Sequence, residues 1–401
     1  MDREDLAVGS HGLSSGRDRE IMFSRDPVKW KQVKVAVDGD TAFEVSLPRD
    51  REMVKQVVNA YFERLNPHRP VFLRTDFERT LEELYDGKAQ QHDPGFLCSM
   101  YLIFGLGTLS ELNHRVFERD GARQNSDQVP PVKELMGSGW PRHEEFFDCA
   151  LLVKPDLRVT VSSLQALILL HWYLYTEVCS HTFRQDGMWA DPYQQRQGRT
   201  LWRLVGSLVR LGIELGLHHD PTTQGKTFSE EEGQLRIRLW NIILIHDRGT
   251  SILLGRPLAI APSDSNTPRP TRLGGLSDHY LFSPPLVEIQ ADIINSLYTP
   301  TWQSADTIMR HATRIINSMV AFRNQLPESY KTLFGGTDDW TLDRRAGLVE
   351  DVTADQGLTL LKLGISRLLL LRALFSSERL EYSQRHKALE DGMHLYFEGQ
   401  A

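Results

Sequence analysis

The sequence predicts an all-α fold, a multi-helix bundle of antiparallel helix pairs, with a short β-hairpin near residues 30–45. Apolar side chains recur at the three- and four-residue spacing of a helix from about residue 50 to a late segment at 358–375. Strand-like alternation is convincing only before Asp38-Gly39, a pair typical of a tight hairpin turn. Helices joined by short connections pack most economically as antiparallel pairs.

The domain organisation follows from a change of composition along the chain. Residues 1–22 are polar and contain several glycines and serines, which predicts a disordered linker. Residues 23–45 form the short extended or hairpin segment, and residues 46–401 form one all-α domain. Its strongest periodic segments predict helices at 50–65, 74–85, 96–112, 163–179, 201–217, 230–254 and 358–375.

Composition and charge exclude several classes of protein. The chain has 401 residues, of which 40% are hydrophobic and 25% charged, as in a typical globular protein. Its cysteines, Cys98, Cys149 and Cys179, lie far apart, so they form neither a disulfide framework nor a cysteine-rich zinc site, and a reducing cell interior suits them. A net charge of -7 argues against a nucleic-acid surface along the whole chain. We expect no signal peptide and no apolar run of about 18 residues that could span a bilayer.

The helix predicted at 230–254 is the most informative segment, because it is apolar on nearly all sides. Ser229 and Glu232 have the spacing of a capping box at its start. Gly255 and Pro257 mark its end, since glycine closes helices and proline cannot continue one. Asp247 lies in the apolar part and needs a cationic partner. We expect Arg256 or a distant arginine rather than Arg248, because adjacent helical side chains diverge by about 100°.

Three motifs resemble one known family. They are YFERLNPHRPVF at 61–72, LVRLGIELGLHHD at 208–220 and RIRLWNIILIHDRGTSILLGRPLAI at 236–260. In this order they resemble the regulatory, or middle-homology, domain of fungal zinc-cluster transcription factors, over about residues 46–380. The third motif is the most specific, and its family positions fall on Arg236, Arg238, Leu239, Trp240, Asp247, Arg248, Gly255, Arg256 and Pro257.

Two departures from the family pattern limit what the resemblance implies. Asn241 replaces the usual second aromatic residue after Trp240, so a polar side chain must be satisfied there. The six closely spaced cysteines of the binuclear zinc cluster are absent. DNA and zinc binding are therefore expected only from a module outside this chain, and no cofactor is expected within it. The polar start and the residues after Glu398 favour a fragment over a naturally truncated regulator.

A ligand pocket is one interpretation of the aromatic residues on helices that we expect to pack together. The candidate pocket residues are Trp172, Tyr175, Trp202 and Trp240. A filled core is the simpler interpretation, because aromatic stripes at helical spacing usually serve packing. Arg69, Arg256 and Arg269 each lie beside a proline and are candidates to contact anionic ligands, although capping and local ion pairs are the more common roles of such residues.

Metal and catalytic sites are poorly supported. His218 and His219 lack a third local ligand, so favourable contact with the end of a helix dipole explains them better than a metal. The acidic segment 338–343 suggests an all-α Mg-dependent isoprenoid-type enzyme as an alternative, but a solvated loop explains it more simply. A non-catalytic helical scaffold is the other alternative. Nucleophile-elbow, P-loop and HExxH motifs are absent from the sequence.

The resemblance implies a non-enzymatic, nuclear regulator of RNA polymerase II transcription. Its expected partners are transcriptional co-regulators or a small-molecule effector, with DNA contacted only through the missing module and no membrane involved. The resemblance is also compatible with a homodimer.

Overall fold

A computed structural model of the chain describes residues 26–37, 41–87, 92–122, 135–137, 139–153, 158–184, 192–224, 228–272, 275–331, 333, 341, 347 and 351–387. The predicted linker at 1–22 and the Asp38-Gly39 turn lie outside these residues. The chain divides into two compact units. Unit 1 comprises Met1–His246 with Asn266–Pro268, and unit 2 comprises Asp247–Ser265 with Arg269–Ala401.

The described residues are mostly helical, which confirms the predicted fold class. The two strands are β1 Trp30–Val37 and β2 Thr41–Pro48. The helices are α1 Arg51–Arg64, α2 Arg74–Asp86, α3 Pro94–Ala122, α4 His143–Leu152, α5 Val161–Arg184, α6 Pro192–Glu214, α7 Glu230–Leu254, α8 Asp278–Leu297, α9 Ala305–Gln325, α10 Glu328–Lys331 and α11 Ala354–Phe375. Short 3-10 turns lie at Asn66–His68 and Pro262–Asp264.

The predicted hairpin is present and packs onto the helices of unit 1. β1 and β2 are antiparallel, with Trp30 opposite Pro48 and Val33 opposite Val45. The Tyr101 hydroxyl of α3 donates to the Ser46 carbonyl at 2.7 Å and accepts from the Ser46 amide at 3.0 Å. Because both groups are buried, this pair of bonds fixes β2 against α3.

α3 forms the centre of unit 1 and packs against α1, α4 and α5. A Cβ added at Gly107 would lie 2.4 Å from the Val57 carbonyl oxygen of α1, so the two helix backbones meet there. At Gly105 the nearest atom to an added Cβ is 3.4 Å away, on Tyr173, which is an ordinary contact. Glycine is therefore required at 107 by the close approach of α1, whereas position 105 has room for a larger residue.

One helix in the described part of the chain is long and apolar enough to cross a membrane, contrary to our expectation that there is no such run. It is the Pro94–Glu118 portion of α3. Within its most apolar window, 72% of the residues are buried in the protein. This burial is what a core helix shows, because such a helix is apolar on all sides.

In unit 2, α8 packs against α9 and α11. Its core includes Leu286, Ile293, Ile315, Met319, Leu370 and Leu374. A buried hydrogen bond of 3.0 Å, from the Gln290 amide to the Ser366 hydroxyl, joins α8 to α11 inside this apolar layer. Thr353 caps α11 by accepting from the Gln356 amide, so the late helix begins slightly before the predicted residue 358.

Candidate functional site

The helix that carries the most specific motif, α7, has the predicted bounds. The Ser229 hydroxyl accepts from the Glu232 amide at 3.2 Å at its start. At its end Gly255 has a φ of 62°, and the Arg256 amide donates to the Ser251 carbonyl at 3.0 Å. A glycine is favoured at this point because other residues seldom adopt a left-handed backbone.

Asp247 and Arg248 form a buried ion pair at the C-terminal end of α7. The Arg248 Nη1 donates to Asp247 Oδ2 at 2.8 Å, and the two residues are 1% and 3% exposed. Our expectation that Arg248 is not the partner is therefore wrong. Neighbouring side chains leave a helix in different directions, but the long arginine side chain bends back, and both groups reach the segment that follows the helix.

That segment folds back along α7 and is held by the ion pair. Asp247 Oδ1 accepts from the Ala259 amide at 3.0 Å, and Arg248 Nη2 donates to the Ile260 carbonyl at 3.3 Å. The Ser251 hydroxyl donates to the Pro257 carbonyl at 3.2 Å. The charged pair therefore satisfies backbone groups that no regular secondary structure satisfies.

Burial governs the ionisation of this pair. Desolvation raises the pKa of the Asp247 carboxyl, although the Arg248 guanidinium and the Ala259 and Ile260 amides lower it in part. Desolvation likewise lowers the pKa of Arg248, opposed by the Asp247 charge. The contacts with Arg248 and with the following segment thus offset part of the cost of burying the Asp247 carboxylate.

The arginines at the start of α7 connect it to its surroundings in unit 1. Arg236 donates to Glu232 at 3.1 Å and to the Leu215 carbonyl at 3.0 Å, and its guanidinium lies 4.0 Å from the centre of the Phe228 ring. Arg238 is half-buried, whereas Arg256 and Pro257, at the other end of the motif, are exposed.

Asn241, the polar residue at which the chain departs from the family motif, forms its hydrogen bonds locally. Asn241 is 5% exposed, and its amide donates to the Ile237 carbonyl one turn earlier at 2.9 Å. It also lies 3.5 Å from the Pro268 carbonyl. A buried asparagine is tolerated here because its donors find backbone acceptors.

The four aromatic residues of the candidate pocket have different environments. Trp240 is fully buried in α7, and a Cβ at Gly212 of α6 would lie 3.2 Å from its ring. Gly212 thus lets α6 approach α7 closely, because a side chain there would crowd Trp240. Trp202 is 43% exposed, whereas Trp172 is 6% exposed and Tyr175 is half-buried. A shared ligand pocket for all four residues stays a prediction.

Trp172 and Tyr175 belong to a cluster that was not predicted from the sequence. The Arg69 guanidinium lies 4.6 Å from the Trp172 ring centre. The His171 ring stacks on Tyr175 at 6.1 Å and meets the His246 ring edge-on at 4.3 Å. These residues come from the loop after α1, from α5 and from α7, so only the tertiary fold brings them together.

Burial keeps both histidines of this cluster neutral. Desolvation lowers the pKa of His171 to about 3, with the nearby Arg69 charge acting in the same direction. The pKa of His246 is lowered by desolvation first and then by His171 and Arg69. Desolvation raises the pKa of Tyr175 to about 12, so its hydroxyl is also uncharged at neutral pH.

The described residues give little support to a metal site or to a magnesium-dependent enzyme. Within the described part of the chain, no three histidine, cysteine, aspartate or glutamate side chains are grouped as metal ligands would be. Most of the acidic segment 338–343 that suggested a magnesium enzyme lies outside the described residues, including Asp338, Asp339 and Asp343.

Comparison with known protein families gives a clear match. Residues 58–285 match the fungal specific transcription factor domain, a span that runs from α1 into α8 and includes all of α7. The chain belongs to this family. The family assignment agrees with the resemblance based on the three motifs, and no zinc-cluster domain is detected in the chain.

Several curated relatives share this domain. An uncharacterized transcriptional regulatory protein of Schizosaccharomyces pombe is 26% identical, over 54% of this chain and 24% of its own length. The positive regulator of purine utilization of Emericella nidulans is 22% identical, over 56% and 23%. Cutinase transcription factor 1 alpha of Fusarium vanettenii is 23% identical, over 54% and 19%. The chain thus spans about a quarter or less of these relatives, and no solved structure matches it significantly.

Proposed function

We propose that this chain is the regulatory domain of a nuclear fungal transcription factor and that it controls RNA polymerase II transcription without catalysing a reaction. The match to the fungal specific transcription factor domain over residues 58–285 is the observation that carries this proposal. Relatives named as transcriptional regulators support it.

DNA recognition belongs, in this proposal, to a zinc-cluster module outside the chain. Six cysteines hold such a cluster in the family, whereas this chain has Cys98, Cys149 and Cys179 only, and the first two are buried. Zinc is then a cofactor of that module and not of this domain. The net charge of -7 also gives the chain little attraction for phosphates.

Regulation then acts through coupling between two modules of one protein. A folded domain that binds an effector or a co-regulator changes transcription by masking or exposing other segments, at the effective concentration set by the chain that joins them. Co-regulators and a small-molecule effector are the partners that this mechanism requires, and a homodimer is compatible with it.

The isolated chain should be inert toward specific DNA sequences. Fluorescence anisotropy with labelled duplexes at physiological salt should show only weak binding that disappears as salt is added, because few phosphates are neutralised. A random duplex of equal length is the matched control. Nanomolar binding to one sequence, with a clear preference over the random duplex, would contradict the assignment of DNA recognition to another module.

A further inference from the structure

Arg69 lies in a hydrogen-bonded loop between α1 and α2. The Asn66 side chain accepts from the Val71 and Phe72 amides at 3.2 and 3.4 Å, and it donates to the Phe72 carbonyl at 3.1 Å. The Gln165 amide of α5 donates to the Val71 carbonyl at 2.7 Å, which ties the loop to that helix. The position of Arg69 is therefore set before any ligand binds.

The guanidinium of Arg69 stacks on Trp172 and pairs with no carboxylate among the described residues. In the part of the chain that the structure describes, it makes neither an ion pair nor a side-chain hydrogen bond, although the residue is half-buried. A partly desolvated cation normally pairs with an anion, because its charge is otherwise poorly compensated. The N–H groups of the Arg69 guanidinium are thus available to an anionic ligand.

The groups that interact with this cation are neutral. His171 and His246 are uncharged, and the Tyr175 hydroxyl and the Cys179 thiol are hydrogen-bonded to each other. Burial lowers the pKa of Arg69, and its interactions with Tyr175 and Cys179 raise it in part. The His246 Nε2 is buried and has no hydrogen-bond partner among the described residues. The cluster therefore carries one net positive charge in a mostly aromatic environment.

Arg256 and Arg269, the other two candidate arginines beside prolines, are more exposed than Arg69. Arg269 forms an exposed ion pair with Glu288 at 2.7 Å, and Arg256 is exposed. Of the three candidates for anion contact, Arg69 is half-buried, is stacked on an aromatic ring and has no carboxylate partner in the part of the chain that the structure describes.

We infer that Arg69 and the face of α5 formed by Trp172, Tyr175 and Cys179 bind a small aromatic or apolar metabolite through its carboxylate. Trp172, Tyr175 and Cys179 are three and four residues apart, so they share one side of the helix. A guanidinium binds a carboxylate with two parallel hydrogen bonds, and one positive charge matches one negative charge. The half-buried Tyr175 ring, next to the buried Trp172, suits the apolar body of such a ligand.

The role of this site as the effector site of the domain rests on the proposed function, whereas binding itself does not. A negative binding result would leave transcriptional control by this chain unaffected. A negative result for transcriptional control would leave the binding result standing. The two failures are therefore distinguishable.

Benzoate is the probe, and benzamide is its uncharged counterpart of similar size. Saturation-transfer NMR on the full chain should detect benzoate binding and little benzamide binding.

The R69M variant should weaken benzoate binding by about tenfold or more, as expected when charge-assisted hydrogen bonds are lost. The R269M variant, which removes an exposed arginine also beside proline, should bind benzoate like the wild type. Inorganic phosphate should compete poorly, because a single arginine leaves its second charge uncompensated.

Equal benzoate binding by R69M and wild type would overturn the inference, as would equal binding of benzamide and benzoate or displacement by phosphate at equal concentration. If R69M loses its helical circular dichroism, hydrogen exchange of the wild-type chain decides. Benzoate should then slow amide exchange at residues 66–72, and unchanged exchange there with benzoate bound would also overturn the inference.

Discussion

Replacing Asp247 with alanine should lower the free energy of unfolding by about 3–5 kcal/mol, because the buried Arg248 would lose its hydrogen-bonded counter-charge. The substitution also removes the acceptor of the Ala259 amide. Urea denaturation followed by circular dichroism measures the loss. Hydrogen exchange over residues 247–260 should assign that loss to the segment that folds back along α7.

The exposed pair of Arg269 and Glu288 is the matched control in the same unit. Both side chains are more than half exposed, so the E288A variant should lose less than about 1 kcal/mol. The double variant D247L/R248M should be more stable than D247A, because it removes both buried charges and fills their volume. A D247A variant as stable as the wild type would contradict a structural role for the pair.

Replacing Trp240 with alanine should cost a further large amount, about 3–5 kcal/mol, through loss of packing. The side chain is fully buried against Gly212. Its indole nitrogen has no hydrogen-bond partner among the described residues, so no lost hydrogen bond confuses the measurement. Thermal and urea denaturation give the loss of stability.

Trp202 offers the comparison within the same unit. It lies on α6 and is 43% exposed, so the W202A variant should lose less than about 1 kcal/mol. Similar losses for W240A and W202A would show that Trp240 is not a core residue.

Much of the fold was predictable from local patterns. The bounds of α7 follow from Ser229, which caps its start, and from Gly255, which closes its end, and both signals act within one helical turn. The close approach at Gly212 was predictable because glycines within a helix carry a stability cost that packing must offset. Alternation of valines similarly predicted the hairpin.

The polar contacts of the candidate site were less predictable. The side chain of Arg248 bends back to Asp247 and also bonds to the Ile260 carbonyl, in the segment after Gly255. The angle between adjacent helical side chains does not predict the path of that segment. The cluster around Arg69 combines residues more than 100 positions apart in sequence. The sequence marked Arg69 as a candidate only through its neighbour Pro70. Its lack of an acidic partner among the described residues is a property of the tertiary structure.

Control of transcription by this domain is the central claim, and a reporter assay tests it most directly. The chain is fused to a foreign DNA-binding domain whose site drives a reporter in fungal cells, and the foreign domain alone is the reference. Because a separately folded regulatory unit acts through coupling and not through bases, the fusion should change reporter output under at least one nutrient condition. Output identical to that of the foreign domain alone under every nutrient tested, from a fusion that is folded and expressed, would contradict the claim.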